Sequence, residues 1–255
     1  MVLVLIWLDV LSKRSCQGRV REVSGGDWRL QGVAMNERVV AFFDLDKTVI
    51  SVNSVRLWVE AEFKAGRLGV GSLLRAAMWS VRYRLGESIE GAVRRAIGRL
   101  EGQNEQEIRA RSHAFYYSHL QQCVRPGALA ALKKHRELGH ELVLLTSTMT
   151  YFAEAAASEL GFDGFLCTGL EVDSTGRFTG KPIEPLCYGV GKRELGEAYL
   201  RERGGSLEGA YFYTDSMSDL EMLDAVGNPV VVNPDPRLLR RARVSGWEVV
   251  DWGRA

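Results

Sequence analysis

Apolar and polar positions along the chain alternate between two rhythms. Unbroken apolar runs, long enough for strands buried on both faces, occur at VVAFF (39–43), ELVLL (141–145), YFY (211–213), PVVV (229–232) and EVV (248–250). Helical periods fit between them at 126–138, 150–160 and 191–203, each running into a glycine stop at Gly139, Gly161 or Gly204. The stretch LEVDSTGRFTG (170–180) predicts a β-hairpin with Ser-Thr-Gly at its turn. Strands separated by helices predict an α/β fold, a parallel sheet with helices on both faces.

The long interval between the first two strands keeps the helical rhythm. Leu74, Met78, Val81 and Leu85 recur at spacings of three and four, as do Ile89, Val93, Ile97 and Leu100, and a third segment carries Ile108, Phe115 and Leu120. So long and regular a stretch predicts a helical cap domain inserted after the first strand rather than a loop. The expected division is a poorly structured N-terminal extension over 1–36, a catalytic core formed by 37–53 and 122–255, and the cap over 54–121.

Composition narrows the picture without changing it. The 255 residues are 46% apolar and 25% charged, the profile of a globular protein, and 33 Lys and Arg against 32 Asp and Glu suggest no nucleic-acid partner. The four cysteines are scattered with no CxxC pair, so reduced thiols and a cytoplasmic location are expected. The N-terminal run MVLVLIWLDVL is short for a membrane span, contains Asp9 and lacks the basic start of a secretory signal. Within 54–121 there are eleven Lys or Arg and seven Asp or Glu. That local excess reads as a solvated helical face, or as attraction for an anionic substrate or a weak membrane-surface contact to which Trp58, Trp79 and Tyr83 would contribute.

Three predicted strands end in polar clusters: Asp44, Asp46 and Thr48; Thr146, Ser147 and Thr148; and Thr214, Asp215, Ser216, Ser218 and Asp219. Any one of them serves equally well as a cap or turn. Ligands of open α/β sheets bind outside the carboxyl ends of the strands, so three together predict a site. Four carboxylates on one rim repel unless a cation compensates. Oxygen donors without histidine or cysteine at metal spacing favour Mg²⁺ over zinc, and Mg²⁺ held this way suggests a phosphate ester as substrate.

DLDKT (44–48) matches the DxDxT signature of the haloacid dehalogenase-like phosphatases. The strand ending in Thr146, the lysine of GVGKREL (189–195) and TDSMSD (214–219) follow in that family's order. Over roughly residues 38–252 the chain resembles the phosphoserine phosphatase-like subgroup, whose helical cap follows the first motif. The resemblance implies a Rossmann-like core and Mg²⁺-dependent hydrolysis of a phosphomonoester. Asp44 would be the nucleophile that becomes an aspartyl-phosphate, and Asp46 the general acid and base. Asp44, Asp46 (through its backbone carbonyl) and Asp215 would hold Mg²⁺, with Asp219 in support. Thr146 and Ser147 would bind the phosphoryl group and Lys192 would neutralise it, Lys181 and Lys47 being the rival lysines. Thr48 is expected to hold the turn.

One departure concerns substrate. Phosphoserine phosphatases place an acidic residue for the substrate ammonium where this chain has Asn53, and Glu60 or Glu62 could substitute. The expected substrate is a small phosphorylated metabolite of the phosphoserine or histidinol phosphate type. The alternatives are a phospholipid head-group phosphatase such as a phosphatidylglycerophosphatase, a phosphotransferase, or a non-catalytic phosphate-binding domain.

Overall fold

The computed structural model describes residues 39–66 and 89–253. The expected N-terminal extension and the heptad-like positions Leu74 to Leu85, with Trp79 and Tyr83, lie outside the described residues.

Six strands form one sheet in the order β3-β2-β1-β6-β7-β8, and every neighbouring pair is parallel. They are β1 (Val40–Phe43), β2 (Glu141–Leu145), β3 (Gly164–Leu166), β6 (Tyr211–Thr214), β7 (Asn228–Val232) and β8 (Glu248–Val250). β1 sits at the centre with all four residues buried, as its apolar composition requires of a strand covered on both faces. Each face of the sheet packs its own apolar cluster. Phe43, Leu142, Leu144 and Val232 belong to one, and Val40, Phe42, Val143, Phe212 and Val231 to the other. The antiparallel pair β4 (Gly169–Val172) and β5 (Phe178–Ile183) forms the predicted hairpin, its turn closed by Asp173, which accepts from the N–H groups of Thr175 and Arg177.

The helices are α1 (Ser54–Lys64), α2 (Ile89–Gly98), α3 (Glu105–Phe115), α4 (Pro126–Glu137), α5 (Thr150–Leu160), α6 (Val190–Glu202), the single turn α7 (Leu220–Leu223) and α8 (Pro236–Ser245). A π-helical turn, Tyr116–Leu120, continues α3. Two elements go beyond the sequence expectation. β3 is only three half-buried residues, too short to show a period. α8 is arginine-rich with Leu238 and Ala242 as its buried positions, but Asp235 caps it and Pro236 opens it, a start signal present in the sequence.

The chain leaves the sheet at Ile50 and returns at Val124, and these two segments pair antiparallel, with Ser51 N–H donating to the Cys123 carbonyl at 2.8 Å. Of the described helices between them, α1 and α3 rest on α5 and α2 packs on β5. Trp58 packs edge-on against Phe115 at 4.9 Å and against Phe152 at 5.5 Å. Only 6% exposed, Trp58 is a core residue, which corrects its reading as part of a membrane-facing surface. Several of the basic side chains counted over 54–121 are engaged within the protein: Arg56 with Glu60, Arg94 with Glu184, Arg109 with Glu154 and Arg111 with Glu62. Among the described residues no helix is long and apolar enough to cross a membrane.

Candidate active site

The carboxyl ends of β1, β2 and β6 open into one cavity of about 220 Å³, lined by Asp44, Asp46, Thr146, Ser147, Lys192, Asp215 and Asp219 among others. The seven residues expected to carry catalysis, phosphate binding and metal binding therefore line one cavity.

At the floor stands Lys192, on the first turn of α6 and 2% exposed. Its Nζ donates to Asp44 Oδ1 and to Asp219 Oδ2, both at 2.8 Å. Burial opposes the charge of this ammonium, but Asp219 and Asp44 outweigh it and hold its pKa above the usual lysine range. Thr214 Oγ1 donates to the same Asp219 oxygen at 2.7 Å, so Asp219 is committed to fixing the lysine. Lys181 lies exposed on β5 and Lys47 is exposed beside the site. Gly191 explains how α6 comes so close. A Cβ there would stand 1.9 Å from the Leu186 carbonyl oxygen, so only glycine lets the helix start where it delivers Lys192.

Past Asp44 the chain turns sharply, with Lys47 at φ 60°, a left-handed conformation unusual for a non-glycine residue. The turn is tied to β6: Thr48 Oγ1 accepts from Asp215 N–H at 3.0 Å and faces its Oδ1 at 3.4 Å. Thr48 thus joins two of the three strand ends rather than merely closing its own turn.

Asp46 is held by the start of α1. Ser54 N–H donates to its Oδ1 at 3.0 Å and Asn53 Nδ2 to its Oδ2 at 3.2 Å. Asn53 also caps α1, its side-chain oxygen accepting from Arg56 N–H at 2.9 Å. Sequence reasoning placed Asn53 as a substrate-facing position, and it does line the cavity, while its amide also caps the helix and holds Asp46. Burial raises the Asp46 carboxyl to about 7, Ser54 opposing and Asp44 assisting. Asp215 is likewise pushed up to about 7, by burial and then by Asp44. Burial also raises Asp44, with Lys192 pulling the other way.

The third strand end supplies hydroxyls. Thr146 Oγ1 accepts from Thr148 N–H at 3.2 Å, which leaves its own O–H as a donor into the cavity. Ser147 Oγ donates to the Cys187 carbonyl at 2.6 Å, so that hydroxyl proton is engaged. Thr148 and Ser54, which the sequence did not single out as partners, share a 2.6 Å hydrogen bond linking the β2 and α1 loops.

Among the described residues, no three His, Cys, Asp or Glu side chains close into a self-contained metal cage. A Mg²⁺ site needs less, because the ion takes one or two carboxylates and completes its shell with water and phosphate. Asp44 and Asp215 face one cavity, both made harder to ionise by burial, and a divalent cation would relieve that penalty. The donor set fits the ion.

The fold and site together are a central parallel sheet that sets paired aspartates against a buried lysine. Residues 41–224 match the family model of haloacid dehalogenase-like hydrolases, and the chain belongs to that family. It is 30% identical to a Mycobacterium tuberculosis protein named phosphoserine phosphatase SerB1, over 83% of this chain and 70% of that one. A Neisseria meningitidis histidinol-phosphatase is 28% identical over 84% of this chain and 98% of its own length. A solved structure from Bordetella pertussis, of unknown function, superposes with a TM-score of 0.77 at 27% identity, covering 86% of this chain and all of that one. The chain is thus a hydrolase with phosphatases among its relatives.

Proposed function

We propose that the protein is a Mg²⁺-dependent phosphomonoesterase that works through an aspartyl-phosphate on Asp44, with Asp46 as general acid and base. The observation that carries this reading is the contrast between the two aspartates. Asp44 touches a cation, Lys192 Nζ at 2.8 Å, whereas Asp46 accepts from the uncharged donors Ser54 N–H and Asn53 Nδ2. The ion pair favours the anionic form of the first for attack, and the second is left to carry a proton.

In the first half-reaction an Asp44 carboxylate oxygen attacks phosphorus and the ester oxygen leaves, taking the proton of Asp46. In the second, Asp46, now ionised, removes a proton from water, which attacks phosphorus and releases phosphate from Asp44. Lys192 holds Asp44 in place and offsets phosphoryl charge, and Thr146 O–H donates to a phosphoryl oxygen. Asp44, Asp215 and the Asp46 carbonyl would hold Mg²⁺, which when bound neutralises charge on the phosphoryl oxygens. Asp219 acts through Lys192.

The domain division belongs to the same proposal. Residues 37–53 and 122–255 form the core and 54–121 a cap over the site, a reading supported by the paired exit and return at Ile50 and Val124. The relatives' names support a small phosphomonoester as substrate. So does a cavity of about 220 Å³, below the roughly 300–1,000 Å³ of drug-sized ligand sites.

Hydrolysis of p-nitrophenyl phosphate with Mg²⁺ tests the reading. Wild type should release phosphate, EDTA should stop it, and Asp44→Asn should lose at least about a thousandfold in rate while keeping its circular dichroism. Undiminished turnover by Asp44→Asn, or indifference to EDTA, would overturn it.

A further inference from the structure

The catalytic turn is held from outside the cavity as well as within it. Lys47, between Asp46 and Thr48, stands at φ 60°, a conformation that costs energy in a residue with a Cβ and persists only where the surroundings fix it. Its N–H donates to the Val52 carbonyl at 3.0 Å. Its carbonyl accepts from the guanidinium of Arg125, with Nη2 at 3.3 Å. Arg125 meets the same turn a second time, because its backbone N–H donates to the Val49 carbonyl at 2.9 Å.

Arg125 stands where the chain returns to the sheet domain, directly ahead of α4 and only 7% exposed. The helix gives no reason for an arginine there. Its side chain does not cap α4, and a cation at the positive end of a helix is unfavourable. The guanidinium instead bridges two carbonyls, that of Lys47 and, through Nη1, that of Gly253 just past β8. The neighbour of that second carbonyl is firmly placed. The Trp252 carbonyl accepts from Gly127 N–H at 3.2 Å, its N–H donates to Asn233 Oδ1 at 3.0 Å, and its ring packs 5.3 Å from that of Tyr213. A Cβ on Gly127 would stand 2.5 Å from the Trp252 ring, so RPG (125–127) brings Arg125 to this segment only with glycine in third place. A planar fork of donors spans the two carbonyls, which the point charge of an ammonium does not reproduce.

We propose that Arg125 is a positioning residue for the reaction, holding the Lys47 peptide so that Asp46 is aimed at the ester oxygen. This deepens the phosphatase reading and rests on it. Asp44 has anchors of its own, its N–H donating to the Tyr213 carbonyl at 2.9 Å and its carboxylate accepting from Lys192. Asp46 is the direct neighbour of Lys47, so releasing that peptide displaces the proton donor more than the nucleophile.

The test compares two esters in the presence of Mg²⁺. One is p-nitrophenyl phosphate, whose leaving group departs without a proton. The other is an alkyl phosphate that needs one, whichever of O-phosphoserine, histidinol phosphate and hexyl phosphate the wild type turns over fastest. Arg125→Ala should lower kcat/KM on the alkyl ester by about tenfold more than on p-nitrophenyl phosphate. A purely structural role would lower both alike. If Arg125→Ala loses its circular dichroism, Arg125→Lys, which keeps the charge and an alkyl stem, takes its place and should shift the same ratio by at least about threefold. Equal losses on the two esters, or an unchanged ratio, in a folded variant of an active wild type overturn this inference alone. A wild type that hydrolyses neither ester overturns the phosphatase reading, and the role of Arg125 with it.

Discussion

At the scale of single residues, the account turns on how neighbours give two aspartates, two positions apart, opposite tasks. Asp44 and Asp46 were evident in the sequence because paired carboxylates at a strand end need a reason. The role of Asn53 was not evident, because the sequence marked it only as a position facing the substrate, and the bond from its Nδ2 to Asp46 exists only once the turn has folded. Replacing Asn53 by Asp separates these two functions. Aspartate caps as well as asparagine, so stability should change little, but it removes a donor to Asp46 and adds a like charge beside it. Both effects favour the protonated form of Asp46. The alkaline limb of kcat/KM on an alkyl phosphate, where the leaving oxygen needs that proton, should therefore move to higher pH. A limb that stays in place would remove Asn53 from the control of Asp46.

At the scale of elements, α6 shows what a sequence carries and what it omits. The apolar periods over 191–203 and the motif order selected Lys192 over Lys181, and the structure buries the first and exposes the second. The reason for GVGK was hidden, since the Leu186 carbonyl that Gly191 approaches is placed by the preceding loop and not by any local period. Gly191→Ala should force the start of α6 off that carbonyl and withdraw Lys192 from Asp44 and Asp219. Activity should fall by about a hundredfold or more, as for displacement of a catalytic group by about 1 Å. An active variant would show that the helix position is not what sets the lysine. The same limit explains β3 and α8. β3 is identified by its pairing with β2, while α8, with few buried positions, is marked by its cap rather than by its period.

At the scale of the whole molecule, the sheet gathers acidic side chains that burial makes hard to ionise, and this links stability to pH. Asp46 and Asp215 stand at about 7 in the folded protein against 3.8 in an unfolded chain. Between those values the folded form binds more protons, so their contribution to stability is complete at low pH and is lost as pH rises through about 7. Mg²⁺ binds the ionised form. The rise in melting temperature caused by Mg²⁺ relative to EDTA should therefore grow across that window, and a rise that is flat or shrinks with pH would contradict the metal assignment.

The central claim is the phosphorylation of Asp44, and trapping it is the most direct measurement. With p-nitrophenyl phosphate the leaving group departs without a proton donor, so Asp46→Asn should still complete the first half-reaction but stall in the second. Rapid mixing with Mg²⁺ should release one nitrophenolate per chain in a burst, and peptide mass analysis should find the phosphoryl group on Asp44. Steady release with no burst and an unmodified Asp44, or a phosphoryl group on another residue, would contradict the account.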